Sequence, residues 1–380
     1  MMLLRSILLF TILMLTITCS SSKKLAVPPG MTQASTPGGA NAVVPTAPPL
    51  QMKEGDRSAL ARPVTSLGEN TSPRFSADGA RLLFLSRSRT THRQAQVYEL
   101  DLVRMTERRL TFHDGDDADP AWTTTGRFVY ASGTDELKED TVALGRLREN
   151  YGKAGKAPKV DPARASEIYL QRLDGREIER LTANDGYDGQ PTPDPKSWRM
   201  VFVTDRGGKG RSLHVLDKSG TKRWGDTKSN EENPRFSRDG QWLAWSRKSD
   251  DGNSQIFVAE NLDAKKARAV TASGARDVMP VWSPKGDWLL FISDRGAGKR
   301  NLYATARDGS CVKRISDADF DVEDLDWSPD TGKIAFVTAP SGTKQVYVVD
   351  LNLDSFTCES SGAPTPIPSP SASPSPPPKP

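Results

Sequence analysis

A short phrase recurs along the middle of the chain at a nearly fixed spacing, and nothing constrains the fold more. It is a proline or aromatic strand end followed by a polar turn, most fully written as Ser-Pro-Arg-Phe-Ser-Ala-Asp-Gly at residues 72–79 and Asn-Pro-Arg-Phe-Ser-Arg-Asp-Gly at residues 233–240. Shorter versions occur at Asp119-Pro120-Ala121-Trp122, Gln190-Pro191-Thr192-Pro193, Met279-Pro280-Val281-Trp282 and Asp326-Trp327-Ser328-Pro329. Measured at Phe75, Trp122, Pro193, Phe236, Trp282 and Trp327, the intervals are 47, 71, 43, 46 and 45 residues. Six units with a period near 45 residues are therefore present, one of them lengthened.

Each unit reads as four short strands. The Asp-Gly turn is followed by an apolar run such as Leu82-Leu83-Phe84-Leu85 or Trp288-Leu289-Leu290-Phe291. A polar hairpin leads to a third strand, such as Gln96-Val97-Tyr98-Glu99-Leu100, and a second turn to a fourth, such as Arg109-Leu110-Thr111. Four strands in ~40–50 residues, repeated, describe a β-propeller blade. The expected fold is all-β: a six-bladed propeller of four-stranded antiparallel blades. The last unit supplies three strands, and Arg62-Pro63-Val64-Thr65-Ser66 resembles a fourth strand without its preceding three. It is expected to close the ring, with Ser355–Cys358 as the competing candidate.

The flanks have another character. Residues 21–50 and 364–380 hold 15 of the 28 prolines and are poor in aromatics, so they bury too little to offset chain entropy. Residues 1–19 carry one positive charge, an apolar stretch from Ile7 to Leu15 and a small-residue exit, which fits an export signal. The expected organisation is a lipoprotein-type signal over 1–19, a disordered linker over 20–60, a propeller over 61–358 with an insertion at 135–163, and a disordered tail over 359–380. Cys19 is the expected lipidation site and would anchor the chain to the outer membrane; cleavage near Ser20 is the alternative. Export leaves Cys311 and Cys358 as an even pair, open to a disulfide or to two separate thiols. No later apolar run spans a membrane, so contact with a bilayer is expected through the lipid alone. A net charge of +4 over 380 residues does not point to nucleic acid.

The repeats resemble the TolB-like propeller family, on Phe202-Val203-Thr204-Asp205-Arg206-Gly207 and Phe291-Ile292-Ser293-Asp294-Arg295-Gly296 together with Trp282-Ser283-Pro284 and Trp327-Ser328-Pro329-Asp330. The resemblance covers residues 62–351, and residues 20–61 are too short and proline-rich for the α/β domain that precedes the propeller in TolB. It implies a periplasmic, non-enzymatic scaffold of the Tol–Pal kind, with an envelope protein such as a Pal-like lipoprotein as partner.

No Gly-x-Ser-x-Gly elbow occurs, and His92, His113 and His214 fall in three different units, so neither a serine nucleophile nor a zinc cluster is expected. His113 beside Asp114 and Asp116 reads as a solvated acidic loop, and the Asp-Arg-Gly sequences read as hairpin turns. The acids of the loops between units stand out: fifteen of them, against Lys228 and Arg276. In a propeller these loops ring one mouth of the channel. Two carboxylates ~4 Å apart repel by ~4 kcal/mol at an effective dielectric near 20. A ring of them is expected to bind a cation such as Ca²⁺ or a basic segment of a partner, with Asp117, Asp119, Asp188, Glu231, Glu232, Asp277, Asp321 and Glu323 as the central residues. The insertion, with Leu137, Leu144, Leu147 and Tyr151 near helical spacing, is expected on the same face. A propeller enzyme acting on carbohydrate or peptide is the alternative function.

Overall fold

The computed structural model describes residues 40–54, 57–133, 166–183, 186–206, 210–225, 229–296, 298–316 and 320–350. The chain divides into units 1–35 and 36–380, and every described residue lies in the second. The signal segment, Cys19, the insertion at 135–163, Ser355–Cys358 and the tail lie outside the described residues.

Six antiparallel sheets follow one another along the chain. Their first strands, Glu69–Phe75, Asp117–Trp122, Asp188–Pro193, Glu231–Phe236, Asp277–Trp282 and Asp324–Trp327, touch in a closed cycle and so form the inner ring. The all-β, six-bladed expectation holds. Apolar side chains gather in six clusters, one at each junction between neighbouring blades. This explains the unbroken apolar second strands. Leu82 and Phe84 face the sixth blade while Leu83 and Leu85 face the second, so both faces are buried and no polar alternation survives.

Five inner strands carry proline at the same place: Pro73, Pro120, Pro191, Pro234 and Pro280. The ladder shifts register there, and the preceding residue takes positive φ: Ser72, Asp119, Gln190, Asn233 and Met279. Proline has no N–H to contribute, and a bulge asks for none. In the sixth blade Leu325 stands in that position and the ladder runs on without a shift.

The Ser-x-Asp-Gly turns close by side chain. Ser76 Oγ donates to Asp78 Oδ1 at 2.5 Å, which also accepts the Ala80 N–H at 3.1 Å. Gly79, at φ 66°, sits where a Cβ would meet Ser328 Oγ at 2.5 Å, so the turn admits no side chain there.

Closure comes from the N-terminal side. Arg57–Pro63 pairs with Gln345–Asp350, and Val64 N–H continues the contact to Val346 O at 2.9 Å. The linker expected over 20–60 does not hold across its second half. Leu50–Glu54 pairs with Arg57–Pro63 as a fifth strand of the sixth blade, and Asn41–Ala42 extends the first blade. The physical reason is burial: Val43 and Met52 are sunk in the junctions on either side of the sixth blade.

Candidate functional site

Asp117, Asp188, Glu231 and Asp277 each open the inner strand of blades 2 to 5, and all are at most 3 % exposed. They are not a solvated rim. Each lies beside the end of the second strand of its own blade, and in blades 3 to 5 an arginine reaches back to it. Arg295 Nη2 donates to Asp277 Oδ2 at 2.6 Å, with Ser293 and Ser273 hydroxyls at 2.6 and 2.9 Å. Arg247 reaches Glu231 Oε1 through Nε at 3.1 Å and Nη2 at 2.9 Å, and Trp245 Nε1 adds a bond at 3.1 Å. Arg206 pairs with Asp188, whose carboxyl burial pushes above its ordinary range in spite of that partner. In blade 2 the place is taken differently: the Thr111 hydroxyl donates to Asp117 Oδ2 at 2.5 Å, and His113 Nε2 lies 3.0 Å from Asp117 Oδ1 with its ring stacked on Tyr130.

The Asp-Arg-Gly sequences are thus clasps as well as turns. The aspartate ties the incoming loop: Asp205 Oδ1 accepts Tyr187 N–H and Asp294 Oδ1 accepts Arg276 N–H, both at 2.8 Å. Gly186 leaves room for this, since a Cβ there would meet Asp205 Oδ1 at 2.2 Å. The following arginine holds the buried acid and lies against an aromatic, Arg295 on Tyr303 and Arg206 on Phe202.

Three of the remaining acids sit nearer the surface and are also matched. Glu232 accepts from Arg211 Nη1 at 2.7 Å, Glu323 lies 2.6 Å from Lys344 Nζ, and Asp321 accepts the Arg300 N–H at 2.8 Å. Six of these acids, Asp188, Glu231, Glu232, Asp277, Asp321 and Glu323, thus have an arginine or lysine of the protein beside them. Among the described residues no three His, Cys, Asp or Glu side chains come together as a metal site. Cys311 is disulfide-bonded, and Cys19 and Cys358 lie outside the described residues.

Asp119 differs. It belongs to a second layer, deeper in the ring, with Arg74, Arg235, Asp324 and Asp326. Arg74 Nη1 pairs with Asp324 Oδ1 at 3.2 Å, and Asp326 Oδ2 accepts the Phe75 N–H at 2.7 Å. Asp119 Oδ2 accepts the Gln190 N–H at 3.0 Å, and Gln190 Oε1 in turn accepts the Asn233 N–H at 2.5 Å. Side chains of one blade thereby bond the backbone of the next, around the channel. Burial raises the carboxyls of Asp119 and Asp326, with Arg74 and Arg235 opposing. Over this layer Tyr187 folds across Gly189, with the Arg211 guanidinium 4.2 Å from its ring centre. Arg74 and Arg235 escaped the reading of acids alone. Comparing the residue before each strand-end aromatic (Pro193 in the third blade), Arg74, Ala121, Thr192, Arg235, Val281 and Asp326, would have exposed them.

The family described as TolB beta propeller domain matches residues 211–376. The solved structure of TolB from Acinetobacter baumannii superimposes with a TM-score of 0.57 at 18% identity, covering 74% of this chain and 66% of that one. The fold is a TolB-like β-propeller. The Tol-Pal system protein TolB of Francisella tularensis subsp. tularensis is 23% identical over 241 residues, 57% of this TolB-like chain and 55% of the relative. An uncharacterized peptidase of Bacillus subtilis, YuxL, is 31% identical over 116 residues, 29% of this chain and 17% of that protein. The chain thus spans about half the length of the first relative and about a sixth of the second.

Proposed function

We propose that this TolB-like propeller is an exported, non-enzymatic binding module of the cell envelope. It would act in a Tol–Pal-like assembly and receive an envelope protein, of the Pal-like lipoprotein kind, at the mouth of its channel. Export to the periplasm and anchoring to the outer membrane through lipidated Cys19 belong to the same proposal. The observation that carries it is the bonding of the inner ring. Asp119, Asp324 and Asp326 already accept backbone N–H groups, so they hold the ring in shape. A rigid mouth with fixed charge suits recognition, in which little ordering cost falls on the site. The likeness to the Francisella Tol-Pal system protein supports the choice of compartment and partner class.

Capture from detergent-solubilised envelopes, read by mass spectrometry, tests this. The expected result is one dominant envelope protein retained by the wild type and lost on Arg211→Ala with Glu232→Ala, a pair at the mouth. Equal capture by both forms would overturn the site. The similarity to the Bacillus peptidase favours a second reading, an enzyme relative acting on peptide or carbohydrate. Steady turnover of a peptide or glycan by the purified chain would establish that reading in place of the first.

A further inference from the structure

Two blades three places apart in the ring of six carry the same phrase, Pro73-Arg74-Phe75 in the first and Pro234-Arg235-Phe236 in the fourth. Their polar groups meet different partners. In the first blade, the preceding blade supplies Asp324 to the guanidinium at 3.2 Å and Asp326 to the Phe75 N–H at 2.7 Å. In the fourth, the same two strand positions hold Gln190 and Thr192. Thr192 Oγ1 takes the Phe236 N–H at 3.4 Å, repeating the role of Asp326. Gln190 spends its Oε1 on the Asn233 N–H at 2.5 Å. Arg235 is left with one acceptor, Pro234 O at 3.1 Å, and its Nε is buried without a partner. Among the described residues it forms no ion pair. Arg235 is Arg74 without its aspartate.

We propose that Arg235 anchors a carboxylate-binding site in the channel, where a ligand carboxylate stands in the place that Asp324 fills beside Arg74. The guanidinium is surrounded by protein yet reached by solvent, because Arg235 remains partly exposed. Burial and the like charge of Arg74 push its pKa down to about 10, so its charge is poorly compensated. Asp119, Asp324 and Asp326 act on it through space, but each already accepts a backbone N–H. An unmatched buried cation is costly, and a charge-assisted bond to an anion relieves it. The same three carboxylates select the ligand: they repel a doubly charged phosphate more strongly than a singly charged carboxylate. The carboxylate comes either from a small free acid or from an acidic side chain or C-terminus of a protein segment entering the channel. Only the second source rests on the partner reading given above.

The test is a melting series of the purified chain in sodium acetate against sodium chloride at equal ionic strength, near pH 7. Acetate is expected to raise the wild-type midpoint by about 1.5–2 °C, the response to a stabilisation near 1 kcal/mol in a domain of ~300 residues. Arg235→Gln should lose the response. Gln190→Glu supplies the missing carboxylate from within while keeping the acceptor for Asn233, and should melt higher than wild type and ignore acetate. An acetate response absent from wild type, or retained in full by Arg235→Gln, overturns the proposal. In the capture experiment, release of the retained protein by acetate assigns the carboxylate to the partner. Acetate-responsive melting with capture indifferent to acetate assigns it to a free acid and overturns the protein source alone.

Discussion

Asp277→Ala tests whether the clasps are structural. The side chain of Asp277 is fully buried and gathers three donors, Arg295, Ser293 and Ser273, at 2.6–2.9 Å. Removing it strands the Arg295 guanidinium, whose side chain is only 21 % exposed. Loss of one member of a buried pair costs ~3–5 kcal/mol, and the partial access of Arg295 to water places this case at ~3 kcal/mol. At ~1.5–2 °C per kcal/mol for a domain of ~300 residues, the midpoint should fall by ~4–6 °C. The control is Asp330→Ala, which breaks the exposed 3.4 Å pair with Arg238 and should cost less than ~1 kcal/mol. Calorimetry with a matching circular-dichroism melt provides the measurement. A cycle with Arg295→Met isolates the pair, with a coupling of ~1–3 kcal/mol expected. A midpoint for Asp277→Ala within a degree of wild type, or a coupling near zero, would refute the clasp and return Asp277 to a solvated rim.

Three further outcomes are expected. His214 has its pKa lowered to about 4, by burial first and then by Arg206 and Arg223. The unfolded chain therefore binds the extra proton first, and stability is full above ~6.5 and falls as pH drops towards 4; His214→Gln should flatten that limb in melts taken from pH 7 to 4. Asp119 has a raised pKa from burial, so its ionisation costs the fold above the raised value and nothing below ~3.9. Asp119→Asn, which tolerates the φ of 50° equally well, should match or exceed wild-type stability at pH 7 and lose any advantage near pH 3.5, and a large loss at pH 7 would contradict this. Deleting residues 40–63 should lower the midpoint by more than ~10 °C and make it concentration-dependent through the bared Gln345–Asp350 edge, whereas deleting 40–54 should cost clearly less; equal losses would show that Arg57–Pro63 does not close the ring.

The repeat made the blades legible because its marks are local chemistry: a Ser-Asp-Gly turn needs those residues wherever it occurs. Closure near Arg62–Val64 was legible for the same reason, as a strand without its unit. The outer strands at 41–42 and 50–54 were not, since a few apolar residues such as Val43 and Met52 among prolines resemble a linker until the groove they fill is known. The acids were visible as a class, but not their depth. Arg206, Arg247 and Arg295 sit 16–18 residues after the acids they hold, and only the hairpin register brings them together. Arg74 and Arg235 were hidden because an arginine facing a channel leaves no hydrophobic pattern.

The seam joining the first and last blades also sets an order of events. Thr65 and Gln345, hydrogen-bonded at 2.8 Å, stand 280 residues apart in the chain. Bringing such distant points together costs ~5 kcal/mol of chain entropy on the scaling with loop length, before any strand contact offsets it. Contacts of this range form late and slowly, whereas blades 2 to 5 can assemble from local hairpins. The hairpin of Leu50–Glu54 and Arg57–Pro63 therefore leaves the ribosome before the other strands of its blade and must wait, with the inner edge of Arg57–Pro63 open, until Gln345–Asp350 has followed. In that interval the chain is an open arc with two bare strand edges. An arc of this kind is open to association through its edges, which a chaperone or simple dilution would limit until the ring closes.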